Sequence, residues 1–145
     1  KKKIINKNVQ LILDEEKRNN IDNIESCLSF KKNCELSKER IFNLINKFKS
    51  EGKKVVGYAA TSKSTTILNY CKIDSKSIDY ICDTTEEKIG KYSPGTHIPI
   101  VPIEYFRKDK PDAVYLFAWN HKDEIFKKEN LYSTNNINWF SHVTI

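Results

Sequence analysis

Val55-Val56-Gly57-Tyr58-Ala59-Ala60-Thr61-Ser62-Lys63-Ser64-Thr65-Thr66-Ile67-Leu68 is the stretch that decides the fold. Its first four residues are short, largely apolar and β-branched at the start, which reads as a buried strand. Small residues follow and permit a tight turn. A helix then carries Ile67 and Leu68 inward and ends near Tyr70-Cys71. A strand that runs straight into a helix begins a β-α-β unit, so the rest of the chain is read for further strands separated by helices.

Downstream, 78–82 reads as a second strand closing at Asp83-Thr84-Thr85. The segment 91–102 holds three prolines, Pro94, Pro99 and Pro102, which forbid a long helix and favour extended backbone with turns. A short helix is expected near 103–106. The run Ala113-Val114-Tyr115-Leu116-Phe117-Ala118 is apolar on both faces, as a central parallel strand requires. Asn120 is placed to cap a helix with Asp123 and Glu124 in its first turn, and a last strand is expected within 137–143. Upstream, 4–30 has helical composition. Ser37 is read as the cap of a clearer helix in which Ile41, Leu44, Ile45 and Phe48 recur at i, i+3, i+4 and i+7, with Gly52 as its stop.

The expected fold is therefore α/β: a Rossmann-like, mostly parallel sheet flanked by helices, with an N-terminal helical lead-in. The lead-in is 1–51 and the Rossmann-like part 52–145, one structural domain in all, which suits a length of 145 residues. The chain starts at Lys1 and contains no methionine, so it reads as a fragment of a longer protein.

Charge excludes some classes. The 25 Lys and Arg exceed the 19 Asp and Glu by enough for a net +6, yet bases and acids alternate, as in Asp14-Glu15-Glu16-Lys17-Arg18. That is a solvated surface rather than a nucleic-acid patch. No apolar run approaches the ~20 residues of a membrane span, and the sequence shows no signal-peptide pattern. A cytoplasmic protein with neither nucleic acid nor membrane as partner is expected. Cys27, Cys34, Cys71 and Cys82 lack metal spacing, and the last two read as buried small hydrophobes.

Ligands of parallel α/β sheets bind beyond the carboxyl ends of the strands. Three features fall there. The Thr- and Ser-rich turn from Gly57 to Thr66 offers hydroxyls and helix-terminal N–H groups to phosphate oxygens, with Lys63 adding charge; the same composition serves a plain β-to-α turn. A dinucleotide fingerprint would put glycines at 57, 59 and 62, but Ala59 and Ser62 occupy two of these places, which argues against NAD. Asp83 stands where a ribose-binding acid sits, or else forms an Asx-turn with Thr84 and Thr85. Trp119-Asn120-His121 offers a stacking ring, an amide and an imidazole, or a helix cap with a core lid. Between them, Tyr92 to Pro102, including His97, either closes over a sugar or base or is a stiff connector.

Four ordered blocks carry a resemblance: the turn and helix 57–71, the strand 78–85, Lys88-Ile89-Gly90-Lys91-Tyr92-Ser93-Pro94-Gly95-Thr96-His97-Ile98-Pro99-Ile100, and Phe117-Ala118-Trp119-Asn120-His121. From about 52 to 139 the chain resembles the C-terminal domain of the SAM-dependent sugar C-methyltransferases. The resemblance implies an N-terminal zinc-binding domain and a central SAM-binding domain upstream, and methylation of a carbon of a nucleotide-linked keto-deoxysugar. SAM, zinc and the acid/base residues would belong to those upstream parts, so no catalytic residue, metal ligand or cofactor is assigned to this chain. Its partners would be the sugar nucleotide and the upstream SAM-binding domain. By the same resemblance, Gly57, Ala59, Thr61, Ser62, Lys63, Ser64, Thr65, Asp83, Thr84, Thr96, His97, Trp119 and Asn120 would contact the sugar nucleotide. The alternative from the residues alone is a stand-alone nucleotide-binding or regulatory module without catalysis.

Overall fold

The computed structural model describes residues 6–130 and 137–143, in two compact units that divide between Leu36 and Ser37. In the first unit the Asn6 side chain accepts the Asn8 N–H at 2.9 Å and so caps helix α1 (Lys7–Arg18). No residue of α1 is buried. The expected helical stretch 4–30 is interrupted at 19–23, and Ile4 and Ile5 lie outside the described residues. Asn23 accepts the Ser26 N–H at 2.8 Å where α2 (Ile24–Ser50) begins. Asn23 therefore supplies the cap expected of Ser37, which lies within α2 and donates its hydroxyl to the His142 carbonyl at 3.0 Å.

In the second unit α2 buries Ile41, Ile45 and Phe48, with Leu44 packed beside them. Gly52, at φ +71°, ends it as the spacing predicts, and the Lys53 N–H closes on the Phe48 carbonyl at 2.9 Å. Then come β1 (Val55–Tyr58), α3 (Ser62–Cys71), β2 (Ile81–Asp83), β3 (Ile100–Pro102), α4 (Ile103–Asp109), β4 (Ala113–Leu116), α5 (Lys122–Glu129) and β5 (Asn138–Phe140). The five strands form one parallel sheet in the order β3-β2-β1-β4-β5, so the Rossmann-like reading holds.

Two details differ from expectation. β2 starts at Ile81 rather than Ile78, because the Ile78 N–H is spent on the Asp74 carbonyl in the preceding turn. Asn120 does not cap α5; Trp119–His121 form a short 3-10 turn, and Asp123 and Glu124 still occupy the first turn of α5.

Alternation along each strand sends side chains to opposite faces. Val55, Ile81, Tyr115 and Phe117 meet α2 and α3 through Ile41, Ile45 and Leu68, while Val56, Cys82, Val114 and Leu116 meet α4 and α5 through Ile103, Phe106 and Ile125. Cys71 and Cys82 are both buried in these layers, as expected. Gly57 is needed because a β-carbon there would lie 2.7 Å from Phe117 and 2.9 Å from Ile81.

Candidate functional site

The strand order reverses between β1 and β4, which leaves a crevice at their carboxyl ends. β1 leaves the sheet through Ala59, whose φ of +72° is rare for a residue with a β-carbon. That bend aims the Ala60 N–H at the Asp83 carboxylate, 2.7 Å away. The Thr61 side chain then accepts the Ser64 N–H and starts α3, while the buried Ser64 hydroxyl donates back to the Thr61 carbonyl at 2.6 Å. The amides of Ser62 and Lys63 lie in the first turn, ahead of any intrahelical bond.

Opposite this turn, the segment after β2 forms a second wall. The Gly90 N–H bonds the Ile100 carbonyl at 3.0 Å and the Ile100 N–H bonds the Lys91 carbonyl at 2.8 Å. The Ser93 N–H reaches the Ile98 carbonyl at 2.8 Å, and the Ser93 and Thr96 hydroxyls bond each other. Asn69 of α3 donates to the Pro94 carbonyl at 3.0 Å, and its carboxamide fills the space a side chain at Gly95 would need. The two walls enclose a cleft of about 310 Å³. Thr61, Ser62, Ser64 and Thr65 line one side; Lys88, exposed Lys91 and the exposed Tyr92 ring line the other.

Asp83 lies beneath this cleft, only 7% exposed. Besides Ala60 it accepts the Thr85 N–H at 2.8 Å and the Lys88 ammonium at 3.2 Å. Burial alone would raise its pKa, but the Thr85 and Lys88 hydrogen bonds outweigh that and hold it below the ordinary value. Both carboxylate oxygens are therefore engaged, and the Asx-turn anticipated with Thr85 is present.

A second group gathers at the strand reversal itself. The Lys63 ammonium donates to Asn120 at 2.7 Å and stands 5.6 Å from the centre of the Trp119 ring. The His142 ring lies 6.3 Å from Trp119, edge to face. With Ser62, Thr66 and Ile67, Lys63 and His142 line a cleft of about 250 Å³. Ser62 is common to both clefts. Burial, and then the charges of Arg40 and Lys63, lower the His142 pKa, so its imidazole is neutral at pH 7.

The thirteen sequence-predicted residues are thus distributed unevenly. Thr61, Ser62, Ser64 and Thr65 share the first cleft, and Lys63, Trp119 and Asn120 cluster at the strand reversal. Ala59 and Asp83 shape the turn between them. Gly57 is buried inside β1, and Thr84 is exposed just past β2. Thr96 and His97 instead line a separate groove with Asn69, Lys72 and Asp74, and His97 has a left-handed φ of +54°. Lys88, Lys91 and His142 were missed. The first two belong to the stretch Lys88-Ile89-Gly90-Lys91 that carries part of the resemblance, and His142 to the expected last strand. Among the described residues no group of three His, Cys, Asp or Glu side chains could hold a metal, and no helix is long and apolar enough to cross a membrane.

Residues 1–143 match the family described as the C-methyltransferase C-terminal domain. This chain belongs to that family. It is also similar to the C-methyltransferase NovU of Streptomyces niveus, with 32% identity over 124 residues, covering 86% of this chain and 30% of that protein. A C-methyltransferase C-terminal domain thus spans less than a third of the curated relative that it matches.

Proposed function

We propose that this domain holds the nucleotide end of a nucleotide-linked keto-deoxysugar, and that SAM binds a preceding part of the same polypeptide. The cleft between Thr61–Thr65 and Lys88–Tyr92 carries this reading. Hydroxyls and helix-terminal amides on one wall and the exposed Lys91 on the other suit a diphosphate, with Lys88 already paired to Asp83 and Glu87 also on that wall, while the exposed Tyr92 ring offers a face to a base or sugar. At about 310 Å³ the cleft is small for a pocket that buries a whole sugar nucleotide, which fits a site completed by another part of the protein.

SAM does not suit the β1–α3 turn of this chain. Phe117 and Ile81 fill the space beside Gly57, and the Asp83 carboxylate is already committed to Ala60, Thr85 and Lys88. The same commitment disfavours NAD, whose ribose diol would have to displace those donors. The same reading assigns zinc, with SAM and the acid/base groups, to the preceding part. SAM held there would supply the methyl group to the carbon beside the sugar ketone and leave as S-adenosylhomocysteine, with a base of that part taking the carbon's proton. The task of this domain is to position the ketone for that step.

Calorimetric titration of the chain with dTDP, UDP, GDP and CDP, with NAD and SAM as controls, tests the proposal. Binding of one nucleoside diphosphate, weakened about tenfold or about 1.4 kcal/mol by Lys91→Ala, is expected. Preferential NAD binding, or nucleotide binding indifferent to Lys91, would count against it.

A further inference from the structure

Hydrophobic side chains in the first unit recur with helical spacing and lie exposed on its helices. In α1, Val9, Ile12 and Leu13 fall at i, i+3 and i+4, one stripe of a 12-residue helix, and each is exposed. In α2, Ile24 and Leu28 repeat the pattern, Phe30 is 71% exposed, and burial begins only at Ile41. A 12-residue helix is marginal in water on its own, and its stability normally comes from packing an apolar face. Grouped apolar side chains of this size mark a surface that another body covers.

We propose that these faces of α1 and of the first turns of α2 are the seat of the preceding methyltransferase part of the same polypeptide. The inference rests on reading the chain as the C-terminal domain of a longer enzyme. The matched family is C-terminal by description, and the matched chain amounts to 30% of the NovU relative. Most of that relative therefore precedes the matched domain, and α1 is the first element of the domain to meet it. A second copy of this chain is the poorer occupant. The α1 stripe spans fewer than two heptads, whereas a self-pairing coiled coil sustains its stripe over three or four.

Hydrogen exchange on the full-length polypeptide and on this chain alone decides between them. Amides of 9–18 and 27–36 are expected to exchange at least tenfold more slowly in the full-length protein. The double variant Ile12→Glu/Leu28→Glu should abolish that difference while amides of β1 and β4 keep their protection, which shows that the sheet still folds. Equal exchange in the two forms would overturn the proposal, as would dimerisation of the isolated chain, by sedimentation, that protects the same amides. A full-length polypeptide without a methyltransferase part would overturn it too. Nucleoside diphosphate binding, measured on the same samples, separates the two readings: its absence with the protection intact refutes the substrate assignment and leaves the docking surface standing.

Discussion

Asp83 combines burial with three donors, the Ala60 and Thr85 amides and the Lys88 ammonium. Burial alone would raise its pKa, but the Thr85 and Lys88 interactions favour the charged form and hold it below the ordinary 3.8. A depressed carboxylate contributes stability that is fully present above the unfolded value and is lost as pH falls through the folded one. Thermal melts of the wild type and of Asp83→Asn at pH 7, 4 and 2.5 should therefore show a gap that is widest at pH 7 and closes below pH 3.8. A constant gap would mean that the carboxylate charge contributes nothing to holding the β1–α3 turn. The position of Asp83 at the end of β2 was legible in the sequence. Its full coordination was not, because the Ala60 amide reaches it only through the left-handed bend at Ala59.

Helices α4 and α5 are tied to the sheet by one buried carboxylate. Glu129, 3% exposed, accepts the Tyr58 hydroxyl from β1 at 2.8 Å and two N–H groups of Arg107 from α4 at 3.0 Å each. Burial and the bond to Glu129 both raise the Tyr58 pKa, so the phenol keeps its proton and remains a donor. Glu129→Leu would strip the phenol of its acceptor and Arg107 of its bidentate partner, at a cost of about 3 kcal/mol. Urea unfolding monitored by circular dichroism measures this, and a loss below about 1 kcal/mol would show that the network is dispensable. Such a network is invisible in the sequence, since Tyr58 and Glu129 are 71 residues apart. Local pattern carried further where neighbours in the chain are neighbours in space. The i, i+3, i+4 spacing from Ile41 to Phe48, the stop at Gly52 and the all-apolar 113–118 run each marked a real element. Ser37 misled because a capping residue is also acceptable inside a helix when its hydroxyl finds another carbonyl, here that of His142. The cleft divides in the same way: Thr61 to Thr65 were readable as a helix start, whereas Lys88 and Lys91 face them through bonds made in the fold, from Lys88 to Asp83 and between Ile100 and both Gly90 and Lys91.

At the scale of the molecule the buried residues are divided unequally between the two units. Among the described residues every buried one lies from Ile41 onward, so none of these is lost if the chain is shortened to start at Ser37. The shortened protein keeps the part of α2 that buries Ile41, Ile45 and Phe48 and should unfold in urea within about 1 kcal/mol of the full chain, because exposed positions usually contribute little. A loss of several kcal/mol would instead make the first unit part of what holds the sheet together. The strand order has a separate consequence during synthesis. The longest pairing in the sheet joins β1 to β4, and the 2.8 Å bond from the Lys54 amide to Asp112 just ahead of it spans 58 residues. At ~5–20 residues/s a ribosome needs roughly 3–12 s to cover that distance. Throughout that interval the nascent β1 has one ladder edge open to any other extended chain nearby, and only the arrival of β4 closes it.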